Sequence, residues 1–158
     1  MESGPILAID PGTVHMGVAV VDGQQLLYYG VSKLATKRPA DELVRTTRAT
    51  VVTLIRRYRP AILAYEKTFY VQAKSSALLH VQEAEIKRVG QAEGLIVFGL
   101  SPSHVRKQLC RDGRATKRAV AELLAQRYPE LVRYLSPPES RRERYWSNMF
   151  DALAVGLV

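Results

Sequence analysis

The segment ILAID, residues 6–10, does most to limit what this chain can fold into. In an extended strand Ile6, Ala8 and Asp10 face one way and Leu7 and Ile9 the other, so both faces are apolar until the last residue. A strand of that kind belongs at the centre of a sheet covered on both sides. AILAYE, residues 61–66, repeats the pattern and also stops on a carboxylate, Glu66. Between them lie two more strand-like runs, MGVAVVDG (16–23) and QLLYYGVSKL (25–34). A helical stretch follows, opened by Pro39, carrying Asp41 and Glu42 in its first turn and Val44, Val51, Leu54, Ile55 and Tyr58 on one face, and ending before Pro60. Three strands joined by short links predict an antiparallel meander. A helical crossover then predicts that the fourth strand runs parallel to an earlier one, with right-handed connection. If that neighbour is the first strand, the carboxyl ends of the two meet and Asp10 lies beside Glu66. Asp10 alone reads equally well as the opening of an Asp-Pro-Gly turn.

The remaining chain continues the alternation. Residues 73–93 predict a long helix with Leu78, Leu79, Val81, Ile86 and Val89 on a broad apolar stripe, and GLIVFGL (94–100) predicts a fifth strand. Ser101 and Pro102 read as an N-cap and first helical residue of a short helix reaching about Leu109. ATKRAVAELLAQRY (115–128) is another helix, stopped by Pro129. In the last stretch Ser136 and Glu139 stand at capping-box spacing, and the final helix starts either near Pro137 or near Ser147. No repeat, linker or low-complexity tract divides the 158 residues, so residues 1–158 are expected to form one α/β domain. Its sheet should be mixed and five-stranded, three strands antiparallel and then two parallel, flanked by helices.

Charge narrows the function. Twenty-three Lys and Arg against fifteen acids give a net charge of +8 and a pI near 9.8, which favours a polyanionic partner, nucleic acid first. The excess is clustered: Arg106, Lys107, Arg111, Arg114, Lys117 and Arg118 are opposed only by Asp112 within residues 101–118, and Arg141, Arg142 and Arg144 fall together. One cysteine, Cys110, excludes an intrachain disulfide and a multi-cysteine zinc cluster. With no signal-like start and no long apolar run, a cytoplasmic, nucleoid-associated protein without membrane partners is expected.

A third acid completes the pattern. Asp151 interrupts MFDALAVGLV (149–158), where an unpaired charge is costly, and Asn148 lies three residues earlier on the same helical face. A solvated structural Asp is the other reading. Carboxylates gathered together raise one another's pKa, and a divalent cation relieves them. All-oxygen donors without cysteine point to Mg²⁺ or Mn²⁺ rather than zinc.

AIDPGTVHMGVAVV with Asp10, AILAYEKTFY with Glu66 and NMFDALA with Asp151 together resemble the RuvC family of Holliday junction resolvases, a branch of the ribonuclease H-like nucleases. The resemblance covers nearly the whole chain, including the order of strands and helices. It implies a ribonuclease H-like fold and a structure-specific endodeoxyribonuclease that resolves four-way junctions by paired hydrolysis with two metal ions. Asp10 would bridge both ions, Glu66 and Asp151 would complete their shells, and Asn148 would ligate through its amide oxygen. Asn148 departs from the family, which usually has an acid or a histidine there, so the second ion should bind more weakly. Native tolerance of the amide, compensation by a neighbouring group and an Asp-to-Asn exchange all fit the sequence.

The segment VRKQLCRDGRATK (105–117) matches the family's basic stretch and places Arg106 and Lys117 where the family keeps functional lysines. Lys117 is thus expected to position or stabilise charge in catalysis, and Arg106, Lys107, Arg111 and Arg114 to contact phosphates. Phe69 and Tyr70, in a lysine-bearing loop after Glu66, are suited to stacking on unpaired bases, with Phe69 at the family's wedge position. The resemblance also implies a homodimer, with the helix after Glu66 supplying much of the interface, and leaves a branch-migration helicase partner unspecified. Two other readings keep the acids: a ribonuclease H-like nuclease acting on structured RNA, and a branched-DNA binder that does not cut.

Overall fold

The computed structural model describes residues 3–34, 39–68, 74–137 and 140–158. Five strands, β1 (Ile6–Asp10), β2 (His15–Asp22), β3 (Gln25–Lys33), β4 (Ile62–Glu66) and β5 (Ile96–Leu100), form one sheet in the order β3-β2-β1-β4-β5. β1 and β2, and β2 and β3, pair antiparallel; β4 pairs parallel with both β1 and β5. This is the expected mixed sheet, with the doubly apolar β1 at its centre. Leu7, Ala8 and Ile9 are wholly buried.

Alternation along β1 divides the core. Leu7 and Ile9 pack with Leu63, Val51, Leu54, Ile86 and Val89 under helices α1 (Ala40–Tyr58) and α2 (Lys74–Ala92). Ala8 packs on the other side with Val105, Leu124 and Leu153, from helices α3 (Pro102–Cys110), α4 (Lys117–Arg127) and α5 (Arg141–Gly156). The helix ends follow local chemistry. Ser101 caps α3 by accepting from the His104 amide, with Pro102 in the first turn, and Thr116 caps α4 by accepting from Ala119.

Several expectations shift. Val44 is only half-buried on α1, while Leu43 and Thr47 turn inward. On α2, Ile86 and Val89 enter the core, but Val81 is 40% exposed, so the stripe is split between the core and the outside. A 3-10 helix, Pro129–Tyr134, follows α4 at the proline expected only to end it. The final helix begins at neither anticipated place. Its cap is Ser140, which accepts from the Glu143 amide, while Ser136 is buried and its carbonyl takes the Arg118 guanidinium at 2.6 Å. The sequence SPPESRRE holds two successive Ser-x-x-Glu patterns, and the second is the one that opens the helix.

α5 closes the fold over β1 and β2. Residues 149–156 are all buried, and the helix backbone meets β2 at Gly17, where a Cβ would lie 1.8 Å from the Asn148 carbonyl oxygen. Among the described residues no helix is long and apolar enough to cross a membrane.

Candidate active site

The parallel pairing of β1 with β4, Ile9 opposite Tyr65, brings Asp10 and Glu66 to the same sheet edge as the next residues of each strand. α5 lies across that edge and presents Asp151. Asp10 and Asp151 are each only 7% exposed. Burial lifts the Asp10 carboxyl well above the ordinary carboxylate range, and the charges of Asp151 and Glu66 lift it further against the pull of Lys117. Glu66 is pushed up to about 7, by burial first and by Asp151 second, with Lys117 and Arg106 opposing. The three acids therefore act on one another as a single electrostatic group.

Their counter-charge comes from α4. Lys117 Nζ lies 2.7 Å from Asp151 Oδ2. Burial pulls the Lys117 ammonium down, but Asp151, Asp10 and Glu66 together hold its pKa above the usual value. Thr116 caps α4 immediately before it, so the lysine leaves the first helical residue toward the acids.

Among the described residues no three Asp, Glu, His or Cys side chains stand together at ligating distance. The acids meet through their fields, and Lys117 holds Asp151. The donors nevertheless suit a hard divalent cation: all are oxygens, two have proton affinities raised by burial and mutual repulsion, and a cation is what relieves that repulsion.

Asn148 is fixed by its amide nitrogen. Nδ2 donates to the His15 carbonyl, which can only accept, so any bond to a cation falls to Oδ1. The His15 ring packs edge-on to Tyr145 at 4.9 Å. From the opposite layer, buried Gln82 of α2 donates from Nε2 to the Gly12 carbonyl at 3.0 Å and to Thr47 Oγ1 at 3.2 Å. Two amides, one from α2 and one from α5, thus grip the turn that follows Asp10. The turn itself is tight: a Cβ on Gly12 would lie 2.0 Å from the His15 carbonyl oxygen.

The basic residues divide. Arg106 is close enough to lower the Glu66 pKa, and Lys117 touches Asp151. Lys107, Arg111 and Arg114 are exposed beside them on α3 and the link to α4, where Asp112 accepts from the Arg114 amide at 2.9 Å. Phe69 and Tyr70 lie outside the described residues. Sequence reading missed Gln82 and Gly17. Gln82 had a signal, since a glutamine stands in helical register with Leu78, Ile86 and Val89 on the core face.

Glu66 and Glu85 set a pH dependence. Buried Glu85 is held down to about 2, chiefly by its hydrogen bond from Arg88, with Arg48 adding to it against burial. A carboxyl whose pKa rises on folding stabilises most while it is protonated, and that contribution is lost as pH climbs from about 4.5 to about 7 for Glu66. For Glu85 the sign reverses, and its contribution is lost as pH falls from about 4.5 toward about 2. The cation-free protein should therefore lose stability between pH 5 and pH 7.5, by up to about 3 kcal/mol from Glu66. Millimolar Mg²⁺ should restore it. Calorimetry with chelator and with Mg²⁺ checks this, and a stability that rises over that range without metal refutes it.

The model of one family, crossover junction endodeoxyribonuclease RuvC, matches residues 6–140. That span includes Asp10, Glu66 and Lys117, and Asp151 follows it. The RuvC of Magnetococcus marinus is 33% identical over 125 residues, covering 75% of this chain and 69% of the relative. The RuvC of Thermus thermophilus is 29% identical over 161 residues, 97% of this chain and 91% of the relative. A solved structure of Thermus thermophilus RuvC superposes with a TM-score of 0.75 at 25% identity, covering 97% of this chain and 91% of that one. The same fold, at 24% identity and a TM-score of 0.74, appears in Thermus thermophilus RuvC in complex with Holliday junction substrate.

Proposed function

Because the chain belongs to the RuvC family of crossover junction endodeoxyribonucleases, we propose that it resolves four-way DNA junctions by hydrolysing phosphodiesters at the Asp10, Glu66 and Asp151 site. The observation that carries this reading is the convergence of those acids, from β1, β4 and α5, into one mutually repelling group balanced by Lys117. Asp10, Glu66, Asp151 and the Oδ1 of Asn148 are the groups that would hold divalent cations, two ions of Mg²⁺ or Mn²⁺. Such ions supply Lewis-acid activation of an attacking water and charge neutralisation at the departing oxygen.

The chain's own residues bind and orient. Lys117 leaves the start of α4, so its ammonium and the first amides of that helix face the same phosphate. Arg106 adds positive charge beside Glu66, and Lys107, Arg111 and Arg114 extend it along the DNA backbone. The grip of Gln82 and Asn148 on the turn keeps Asp10 in register with its neighbours. Phe69 and Tyr70 are assigned to unpaired bases at the crossover.

A four-way junction is nearly two-fold symmetric, and a symmetric dimer places one site on each of two opposed strands. Val81 of α2, 40% exposed, is an apolar group on the helix after Glu66 that a second copy would cover. Val81→Asp should weaken dimerisation at least about tenfold, since a charge buried in an interface without a partner is costly. Sedimentation at micromolar protein reads this, and an unchanged dimer moves the interface elsewhere.

The deciding experiment incubates labelled four-way junctions, RNA hairpins and linear duplexes with the protein and Mg²⁺ or Mn²⁺. Paired, symmetric nicks confined to the junction are expected. Preferential cutting of RNA supports the structured-RNA nuclease instead, and tight junction binding without product supports the non-cleaving binder.

A further inference from the structure

The first two turns of α5 carry residues that the acidic site leaves unused. Arg141, Arg142 and Arg144 are exposed and form no ion pair among the described residues. Beneath them a cavity of about 250 Å³ opens between α4, the 3-10 helix and α5. Ala121, Tyr134, Leu135 and Phe150 give it apolar or aromatic walls, and Ser136 and Ser147 line it between them. Lys117, Arg118 and Arg144 bring positive charge to it, and the one carboxylate lining it among the described residues, Glu143, is engaged by Arg118 at 3.5 Å. Lys117 also holds Asp151, so the cavity and the acidic site share that lysine. Flat apolar walls under a cationic rim match a heteroaromatic base carrying a phosphate.

We propose that this cavity is a subsite for one unpaired nucleotide of the strand being cut, its base against Tyr134 and Phe150 and its phosphate on Arg144. The inference rests on the junction-cutting reading and adds a base-reading element to it. Arg144, Ser147 and Asp151 follow one another along one helical face, at spacings of three and four residues. Two turns of helix span about 10 Å, and successive nucleotides of a strand rise about 3.4 Å, so the subsite serves a base within about three nucleotides of the cut. Phosphate contacts position a strand without reading it, whereas an enclosed base makes the reaction depend on sequence at one position.

The test places 2-aminopurine, singly, at each of the three positions on either side of the cut in a four-way junction, and records fluorescence on binding with chelator present. One position should change at least about twofold as its base leaves the stack for the cavity. Ser147→Phe, which fills the cavity, should abolish that change while junction affinity stays within about threefold, because the phosphate contacts on α3 and α4 remain. Ala121→Leu serves the same end from the opposite wall if the first variant does not fold. Arg144→Ala should weaken the response. A junction that binds with no responding position, or a response that survives filling of the cavity, overturns the subsite and leaves the junction reading standing. Failure of the wild-type protein to bind junctions at all overturns both.

Discussion

A Gly17→Ala protein is expected to lose about 3 kcal/mol of stability, and most of its junction cutting with it. The added carbon would stand 1.8 Å from the Asn148 carbonyl oxygen, 2.2 Å from its carbon and 2.9 Å from the Met149 nitrogen. Those are helix backbone atoms, which cannot swing aside as a side chain does, so α5 must lift from β2. Residues 149–156 are buried in that contact, and Asp151 lies three residues beyond Asn148. Gly17 is also the register partner of Asp10. A single added methyl group would therefore push the acid on the helix away from the acid on the central strand. Gly30→Ala, one strand away, is the control: its nearest obstacle is the Tyr28 side chain at 3.4 Å, an ordinary contact. Urea melts and a junction assay on both variants settle the point, and equal behaviour of the two would remove Gly17 from the account.

Gly17 also shows where sequence reading stops. A glycine inside a strand-like run carries no mark of what approaches it, because the approaching helix is about 130 residues away in the chain. The doubly apolar patterns of ILAID and AILAYE were legible because a strand buried on both faces has a composition that few other elements share. From them followed the central position of β1 and a fourth strand parallel to an earlier one; the structure makes that neighbour β1, the condition on which Asp10 comes beside Glu66. Asp151 was legible as a charge within an apolar helix. The partners of these acids were not. Nothing in the sequence states that the Asn148 nitrogen would be taken by the His15 carbonyl, or that Gln82 would reach Gly12 across the core. Those bonds depend on side-chain direction after three layers have packed, a level that periodicity does not encode. The start of α5 was ambiguous for a different reason, since two identical capping patterns lie in tandem and tertiary burial of Ser136 selects the second.

Asp10→Asn should reduce junction cutting on the order of a thousandfold, the scale of removing one group that stabilises charge in a transition state. It should do so while making the cation-free protein more stable at neutral pH, the reverse of what Gly17→Ala does. Burial and the charges of Asp151 and Glu66 all favour the neutral form of the Asp10 carboxyl in the folded protein. Above its unfolded pKa the ionised side chain therefore works against folding, and an amide of the same shape removes that penalty. A rise in Tm of about 3 °C corresponds to roughly 1 kcal/mol in a chain of this size. Junction affinity should hold or improve, because a negative charge facing the phosphate has gone. Adding Mg²⁺ should stabilise the variant less than the wild type, since one of the carboxylates that would hold the cation has been removed. Loss of activity with loss of stability would mark Asp10 as a structural residue, and retention of cutting within about tenfold would place the reaction elsewhere. The combination expected, higher stability with lost chemistry, arises only if a group selected for its reaction is held against its own electrostatic cost by the fold around it.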